Sequence, residues 1–431
     1  MDTWPQDDNG RTVRGAAEAK QVLSRIFREL FENLKTGTEF DSHARTGNRQ
    51  SEKEMPLLEL DLYSGAAGIA LFLSAYYAAT KDSDARDLAL QFVDKLRTSS
   101  AKLITSVETV HTGYVANQGI AGLASILYSC AWAASWLKLP EILDTGLEVT
   151  EVITAKHILT ENKLDVMSGC AGTLLALLSF AQAASPMGKD SSQVDDLAVA
   201  CGRNLLNRRI SYKSGPRAWP GVDCPPTTGF AYGAAGIAYA LVCLFRHTSR
   251  EEFLEAALEG FAFERSLYLP LQQTWLDPRC NRPVNESSWR QGAPGIALAH
   301  LGCVPTIDSP GFAHDLELAL SITRSLPASQ FDHLCGGNFG NIDVLYTAGE
   351  ILGRVQLADY AWELAGRVLA RASTFGYSFL LQHAEPVKRE AHPFDPSLFL
   401  GLAGVGYTLL RLLYPGLFPS VLLLESPRLE T

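Results

Sequence analysis

A small-residue Gly-x-x-Gly element opens an apolar stretch seven times along this chain of 431 residues. The copies are Gly65-Ala-Ala-Gly68, Gly119-Ile-Ala-Gly122, Gly169-Cys-Ala-Gly172, Gly233-Ala-Ala-Gly236, Gly292-Ala-Pro-Gly295, Gly337-Asn-Phe-Gly340 and Gly401-Leu-Ala-Gly404. Their first glycines lie 54, 50, 64, 59, 45 and 64 residues apart. Self-similarity on this scale marks a repeat architecture, in which each unit buries its apolar face against its neighbours. Length alone suggests two or three domains, whereas the repeats argue for one large unit.

After each element comes an apolar helical pattern, at 69–79, 123–137, 174–184, 237–245, 296–301, 342–352 and 405–413. Between them lie stretches with one polar and one apolar face, at 85–97, 142–153, 192–207, 250–268, 312–325 and 357–372. Each unit therefore reads as outer helix, loop, Gly-x-x-Gly, inner helix. The predicted fold is all-α, an α/α toroid of seven helix pairs. In such a ring the glycines let backbones approach closely and leave inner-helix N-termini open toward a central cavity. Strand signals are sparse, with 421–424 the main one. Residues 1–50 read as a polar extension with one helix at 16–34, and 51–431 as the toroid.

Apolar residues at 47% supply ample core material, and a net charge of −10 argues against nucleic acid or an anionic membrane as main partner. Two long uncharged runs, 112–137 and 166–188, each carry a repeat element and read as buried helices rather than membrane spans. The N-terminus has no signal-peptide pattern, and the eight cysteines form no Cys-x-x-Cys pair. The reading is a cytoplasmic protein with reduced thiols.

Particular segments resemble lanthionine synthetase C-like proteins: Asp61-Leu-Tyr-Ser-Gly-Ala-Ala-Gly68, Thr228-Gly-Phe-Ala-Tyr-Gly-Ala-Ala-Gly236, Ser288-Trp-Arg-Gln-Gly-Ala-Pro-Gly295, Leu334-Cys-Gly-Gly-Asn-Phe-Gly340 and Gly401-Leu-Ala-Gly-Val-Gly-Tyr407. More narrowly they look like the C-terminal cyclase domain of class II lanthipeptide synthetases, from about residue 57 onward. The resemblance implies an α/α toroid that closes thioether rings, adding a precursor-peptide Cys thiol to dehydroalanine or dehydrobutyrine. In the family, zinc held by Cys, Cys and His or a third Cys lowers the thiol pKa, a His acts as general acid, and an Asp lies close by. The dehydratase part of the bifunctional synthetases is not matched, which implies a separate dehydratase or synthetase as partner.

Position by position, the first zinc Cys is replaced by Arg290, the second is retained as Cys335, and the third ligand is replaced by Gly336. The general-acid His is replaced by Tyr232, while the Asp is kept as Asp165. Trp275-Leu-Asp-Pro-Arg279 resembles the segment preceding the first metal loop, so Asp277 and Arg279, with Gln291 and Cys335, are the candidate substrate contacts. One family ligand of three does not make a zinc site, and no cofactor is expected. A rebuilt site would draw on His333, His300, Cys303 or Cys280. The inner-helix pattern makes His300 and Cys303 core residues, and the other two read as loop residues.

Two functions stand foremost, and altered chemistry on a related modified peptide, such as an aminovinyl-cysteine-type ring, stays open as a third. In one, a metal-independent cyclase uses the permanent charge of Arg290 in place of zinc, with Tyr232 as proton donor and Asp165 orienting or deprotonating. In the other, a non-catalytic scaffold binds the precursor peptide or a partner dehydratase. For Arg290 and Tyr232 the plain alternatives are pairing with a carboxylate such as Asp165 or Asp277, and plugging the cavity.

Overall fold

The computed structural model describes residues 13–35, 60–105, 119–284, 287–379 and 394–427. Among them, the seven inner helices are α2 (Ala66–Thr80), α4 (Ser125–Leu137), α7 (Cys170–Ala184), α9 (Ala234–Thr248), α11 (Ala293–Cys303), α13 (Asn338–Leu352) and α15 (Leu402–Leu413). Each packs on the next, and α15 packs back on α2, so the ring closes. These helices are apolar on every side because every side meets protein.

An outer layer surrounds them: α3 (Ser83–Thr105), α5 (Ile142–Val152), α8 (Ser192–Asn207), α10 (Glu251–Ser266), α12 (Pro310–Ser325) and α14 (Val355–Phe375). The expected unit order, outer helix first, differs from what is seen. Except for α15, each inner helix packs more closely on the outer helix that follows it than on the one before. The turns joining several pairs run through a left-handed residue, Lys81, Lys138, Ser249 or Gly353, which reverses the chain within a few residues. The outer partner of α15 comes from the other end of the chain: α1 (Val13–Lys35) lays Leu23, Ile26, Phe27 and Leu30 against the ring. A short α6 (Ala155–Thr160) was not foreseen; Thr154 caps it by accepting from the His157 N–H.

The inner helices begin earlier than their apolar patterns. Except in the second repeat, the first glycine is the residue before the helix and the second lies in its first turn. A Cβ on Gly68, Gly172, Gly236, Gly295, Gly340 or Gly404 would stand 2.0–2.4 Å from the carbonyl oxygen of Leu62, Val166, Phe230, Trp289, Leu334 or Leu398 respectively. Those second glycines are required by close approach rather than by backbone angle. In the same compact loop a carbonyl seven residues back accepts from each of these helix starts: Ala67 N–H donates to Leu60 O, Ala171 to Leu164, Ala234 to Thr227, Gly295 to Ser288, Asn338 to Phe331 and Leu402 to Asp395. The helix N-termini are thus not open toward a cavity as expected; their first amides are satisfied locally. In the second repeat, α4 starts only at Ser125, and Gly119 (φ +81°) packs on the Met167 carbonyl.

Among the described residues, strands are confined to small hairpins: β1 (Ile210–Ser211) with β2 (Arg217–Ala218), and β3 (Tyr268–Leu269) with β4 (Thr274–Asp277) and β5 (Arg282–Pro283). The expected strand at 421–424 is instead a fully buried turn. Its Leu422 carbonyl accepts from Trp289 Nε1 at 3.1 Å, while Ser420 Oγ donates to Asp343 at 2.9 Å. Asp343 also pairs with the buried Arg411, so one network ties α13, α15 and the C-terminal segment. Of the two uncharged runs, 112–118 lies outside the described residues. The stretch Cys170–Met187 is long and apolar enough to cross a membrane by composition, yet 78% of it is buried among its neighbours in the ring.

Gly236→Ala would drive a methyl into the Phe230 carbonyl and should cost about 3 kcal/mol or prevent folding. Gly366→Ala, on α14 with open space around it, should instead stabilise by about 0.5–1 kcal/mol. Denaturant unfolding of both variants beside the parent chain checks the pair.

Candidate active site

The loops that precede the inner helices join side by side at one end of the ring. Leu62 N–H donates to Ser125 Oγ, and Ile120 and Ala121 N–H donate to the Val166 and Met167 carbonyls. Val166 and Met167 N–H in turn donate to Ala231 O. Gly229 (φ +101°) lies so close to Arg290 and Gln291 that a Cβ there would be 2.6 Å from the Arg290 carbonyl. Cys335 N–H donates to Phe399 O at 3.1 Å, and Phe399 N–H to Tyr63 O at 3.0 Å. Residues hundreds of positions apart are thereby fixed in one rosette.

Beneath it lies an aromatic floor. Tyr63, Phe399, Trp289, Phe230 and Tyr239 follow one another with ring centroids 5.1, 5.2, 5.8 and 5.6 Å apart. Trp289 is fully buried, so its neighbour Arg290 is anchored at the backbone while its side chain reaches across to the sixth loop. A Cβ on Gly336 would stand 3.6 Å from Arg290 Nη2 and 3.6 Å from His333 Cε1. The guanidinium thus occupies the place toward which a side chain at 336 would project.

Cys335, beside it, is buried, and Tyr63 Oη donates to its Sγ at 2.9 Å. Burial pushes the Cys335 thiol up, against the opposing pull of Arg290 and of the Tyr63 hydrogen bond. Nothing local in the sequence marks Tyr63, since its partner Cys335 lies 272 positions away. His333 lies in the sixth loop, as expected, and is buried there. Its Nδ1 accepts the Gly336 N–H at 3.2 Å, which assigns the hydrogen to Nε2. Burial first, then Arg290, lowers its pKa to about 4, so the ring is neutral.

Tyr232 stands at the mouth of the rosette, 41% exposed. Burial of its ring, then the nearby Cys335 and Asp165, push its hydroxyl up to about 12, so it is a phenol and not a phenolate at neutral pH. Asp165 belongs to the loop hydrogen-bonded to Ala231, next to Tyr232. Its carboxylate accepts from Ser168 N–H at 2.7 Å and from the Ser168 hydroxyl, and burial nonetheless raises its pKa. Asp61 makes the same two contacts with Ser64 in the first loop. Loop closure therefore accounts for both carboxylates, and only Asp165 also lies beside Tyr232.

Asp277 and Arg279 pair with each other, Nη2 to Oδ2 at 2.7 Å, at the end of β4. Against burial, Arg279 holds the Asp277 carboxyl below its usual range, and its own charge is felt at Tyr232. Gln291 is held at its backbone, its carbonyl accepting from Ser288 N–H at 2.8 Å. His300 and Cys303 are buried in α11 as expected, and Cys280 is exposed on the β4–β5 turn. No group of three or more His, Cys, Asp or Glu gathers for a metal ion among the described residues. The donor set around Cys335 does not match zinc: a permanent cation faces it, and the imidazole of His333 beside that cation uses its Nδ1 lone pair on Gly336.

The loop bearing Tyr232 has one more support. Glu264, buried on α10, accepts from Gly229 N–H at 3.0 Å and from Ala235 N–H at 2.8 Å through one oxygen. Burial raises its carboxyl to about 8, so it holds the loop as an uncharged acid at neutral pH.

A family model described as lanthionine synthetase C-like protein matches residues 56–423. Among solved structures, nisin cyclase superposes with a TM-score of 0.59 at 18% identity, over 94% of this chain and 96% of that one. A structural-genomics protein from Listeria innocua gives 0.48 at 14% identity, over 79% of this chain and 96% of that one. A sugar epimerase from a ruminal bacterium gives 0.44 at 12%, over 75% and 99%. The nisin cyclase likeness speaks for the fold; the other two matches carry no argument.

Because the Glu264 carboxyl is raised from 4.5 to about 8 in the folded chain, the native state holds a proton that the unfolded state releases. Its contribution is intact below about pH 4.5 and falls by up to about 1.4 kcal/mol per pH unit until about pH 8. Glu264→Gln, a neutral isostere, should remove that slope: the parent chain should lose stability relative to the variant from pH 5 to pH 8, and no further above it. Thermal unfolding of both across this range is the measurement.

Proposed function

The chain belongs to the lanthionine synthetase C-like family, and on that premise we propose that it closes thioether rings in a ribosomally made precursor peptide without zinc. The observation that carries the reading is the Arg290 guanidinium over Gly336, within the electrostatic reach of Cys335, Tyr63 and Tyr232. A fixed cation at that position lowers the cost of ionising a peptide cysteine brought to it.

The reaction is an addition with nothing lost. The peptide sulfur bonds to the β-carbon of dehydroalanine or dehydrobutyrine as the double-bond electrons move toward the carbonyl. The resulting enolate then takes a proton at its α-carbon. Tyr232, a neutral phenol exposed at the mouth, is the donor, and Arg290 offsets the developing negative charge. Asp165, a carboxylate of raised pKa beside Tyr232, receives the thiol proton and restores the phenol, so protons balance over one cycle. Tyr63 holds the Cys335 sulfur and keeps the loop carrying Gly336 in place under the guanidinium. Asp277, Arg279 and Gln291 line the approach and contact the peptide. A separate dehydratase prepares the substrate, and the protein works in the cytoplasm.

The buried Cys335, packed under Tyr63, also suits a chain that only holds the peptide, which sets the alternative: a scaffold without chemistry. Incubation with a dehydrated, cysteine-containing precursor, followed by thiol titration and mass spectrometry, separates the two. Ring closure should exceed the uncatalysed rate and survive a chelator. Tyr232→Phe should lower it about 10²-fold, and Arg290→Ala about 10²–10³-fold. Closure at the uncatalysed rate in the parent chain, with peptide binding retained, leaves the scaffold reading. Stoichiometric zinc in the purified protein overturns the metal-free chemistry.

A further inference from the structure

Away from the rosette, a cleft of about 650 Å³ opens between the outer helices α10 and α12, with α11 as its floor. Its walls are largely apolar and aromatic, with Phe261, Trp275, Ile296 and Leu318 among them. Two residues of its lining are almost fully buried and keep a polar atom without a hydrogen-bond partner: Glu264 Oε2 and His300 Nε2. An unpaired buried polar atom costs roughly 1–3 kcal/mol, and two lining one cleft are rarely left so.

Their chemistry is determined by their other contacts. His300 Nδ1 lies 2.9 Å from the Ile296 carbonyl, which accepts only, so Nδ1 carries the hydrogen and Nε2 presents a bare lone pair. The imidazole is stacked on Phe312 at 4.3 Å and tilted against Phe261 at 4.6 Å, which locks its orientation. The other oxygen of Glu264 is occupied by the Gly229 and Ala235 amides, leaving Oε2 as the hydroxyl of the acid, a donor. Burial, which holds Glu264 up to about 8 and His300 down to about 4, keeps both uncharged at neutral pH. The charged groups at the mouth, Arg265 and Asp315, neutralise each other at 2.6 Å.

We propose that this cleft binds a small, uncharged, ring-bearing alcohol, a compound with a flat apolar body and one hydroxyl. The ring fills the aromatic walls. The hydroxyl is the smallest group with both capacities, donating to His300 Nε2 and accepting from the acid hydroxyl of Glu264. A charged ligand is disfavoured, since the floor offers it no counter-charge. Because Glu264 lines the cleft and also holds the amides of Gly229 and Ala235 through its other oxygen, an occupant tightens the loop that carries Tyr232.

Phenol is the probe, titrated calorimetrically into the full chain, with toluene as the isostere lacking the hydroxyl and benzoate as the charged analogue. Phenol should bind saturably at one site, toluene at least tenfold more weakly, and benzoate not measurably. Leu318→Trp, at a half-buried position in the wall, should abolish phenol binding while the unfolding temperature holds. Hydrogen exchange of residues 228–235 should slow with phenol in the parent chain and not in this variant. Absence of saturable binding, equal affinity for toluene, or phenol binding unchanged in Leu318→Trp would each overturn the proposal. None of these readouts depends on ring closure, so the cleft stands or falls separately from the catalytic reading.

Discussion

The structure depends on one close approach: a loop carbonyl resting on the second glycine of an inner helix, with no room for a methyl between them. Gly236 under the Phe230 carbonyl and Gly404 under that of Leu398 are two instances. This contact folds each loop tightly over its own helix start, where the loop's carbonyls also satisfy the first amides of the helix. Loops so compact can stand shoulder to shoulder, and neighbouring loops then share hydrogen bonds around the rim. A side chain at any of those glycines would lift one loop and break its bonds with the loops on either side. Architecture and site are therefore controlled by the same residues.

The rim converts distance in sequence into proximity. Tyr63 and Cys335 are 272 positions apart and touch. The site so assembled differs in kind from a metal centre. Zinc would demand three or four donor atoms within bonding distance. A guanidinium demands only a place, because its charge is permanent and its carrier needs no ligands. Arg290 is anchored by Trp289 in the aromatic floor, so its cation stands on a rigid base rather than a free loop.

The sequence carried the repeat number, the inner helices and the all-α class, because small-residue elements and uninterrupted apolar runs are local signals. Arg290, Tyr232 and Asp165 stood out only through the resemblance of their loops to those of the family, not through any local pattern. Other features were hidden for physical reasons. The pairing of α1 with α15 leaves no local trace, since an amphipathic helix looks the same whichever partner it meets. The stretch 421–424 has the composition of a strand, but it is buried among helix ends with no strand beside it, so it turns. Hairpins of two-residue strands are too short for any alternation to register. The tautomers of His300 and His333 depend on carbonyl and amide neighbours that only the folded backbone supplies.

The meeting of α1 with α15 also bears on how the protein comes into being. Helix α1 is translated long before α15, and until then its apolar face is only partly covered, with Phe27 stacked on Tyr76 of α2 at 4.4 Å. Until α15 is made the ring is an open horseshoe, whose ends are of the kind that sticks to other chains. Closure waits on α15, which packs on α1, α2 and α13. A cut in a surface turn between any two pairs, with α1 linked directly to the residues after α15, would yield a permutant whose final helices close a different seam. Comparing its refolding yield with that of the parent chain would measure how much the order of synthesis matters to a ring.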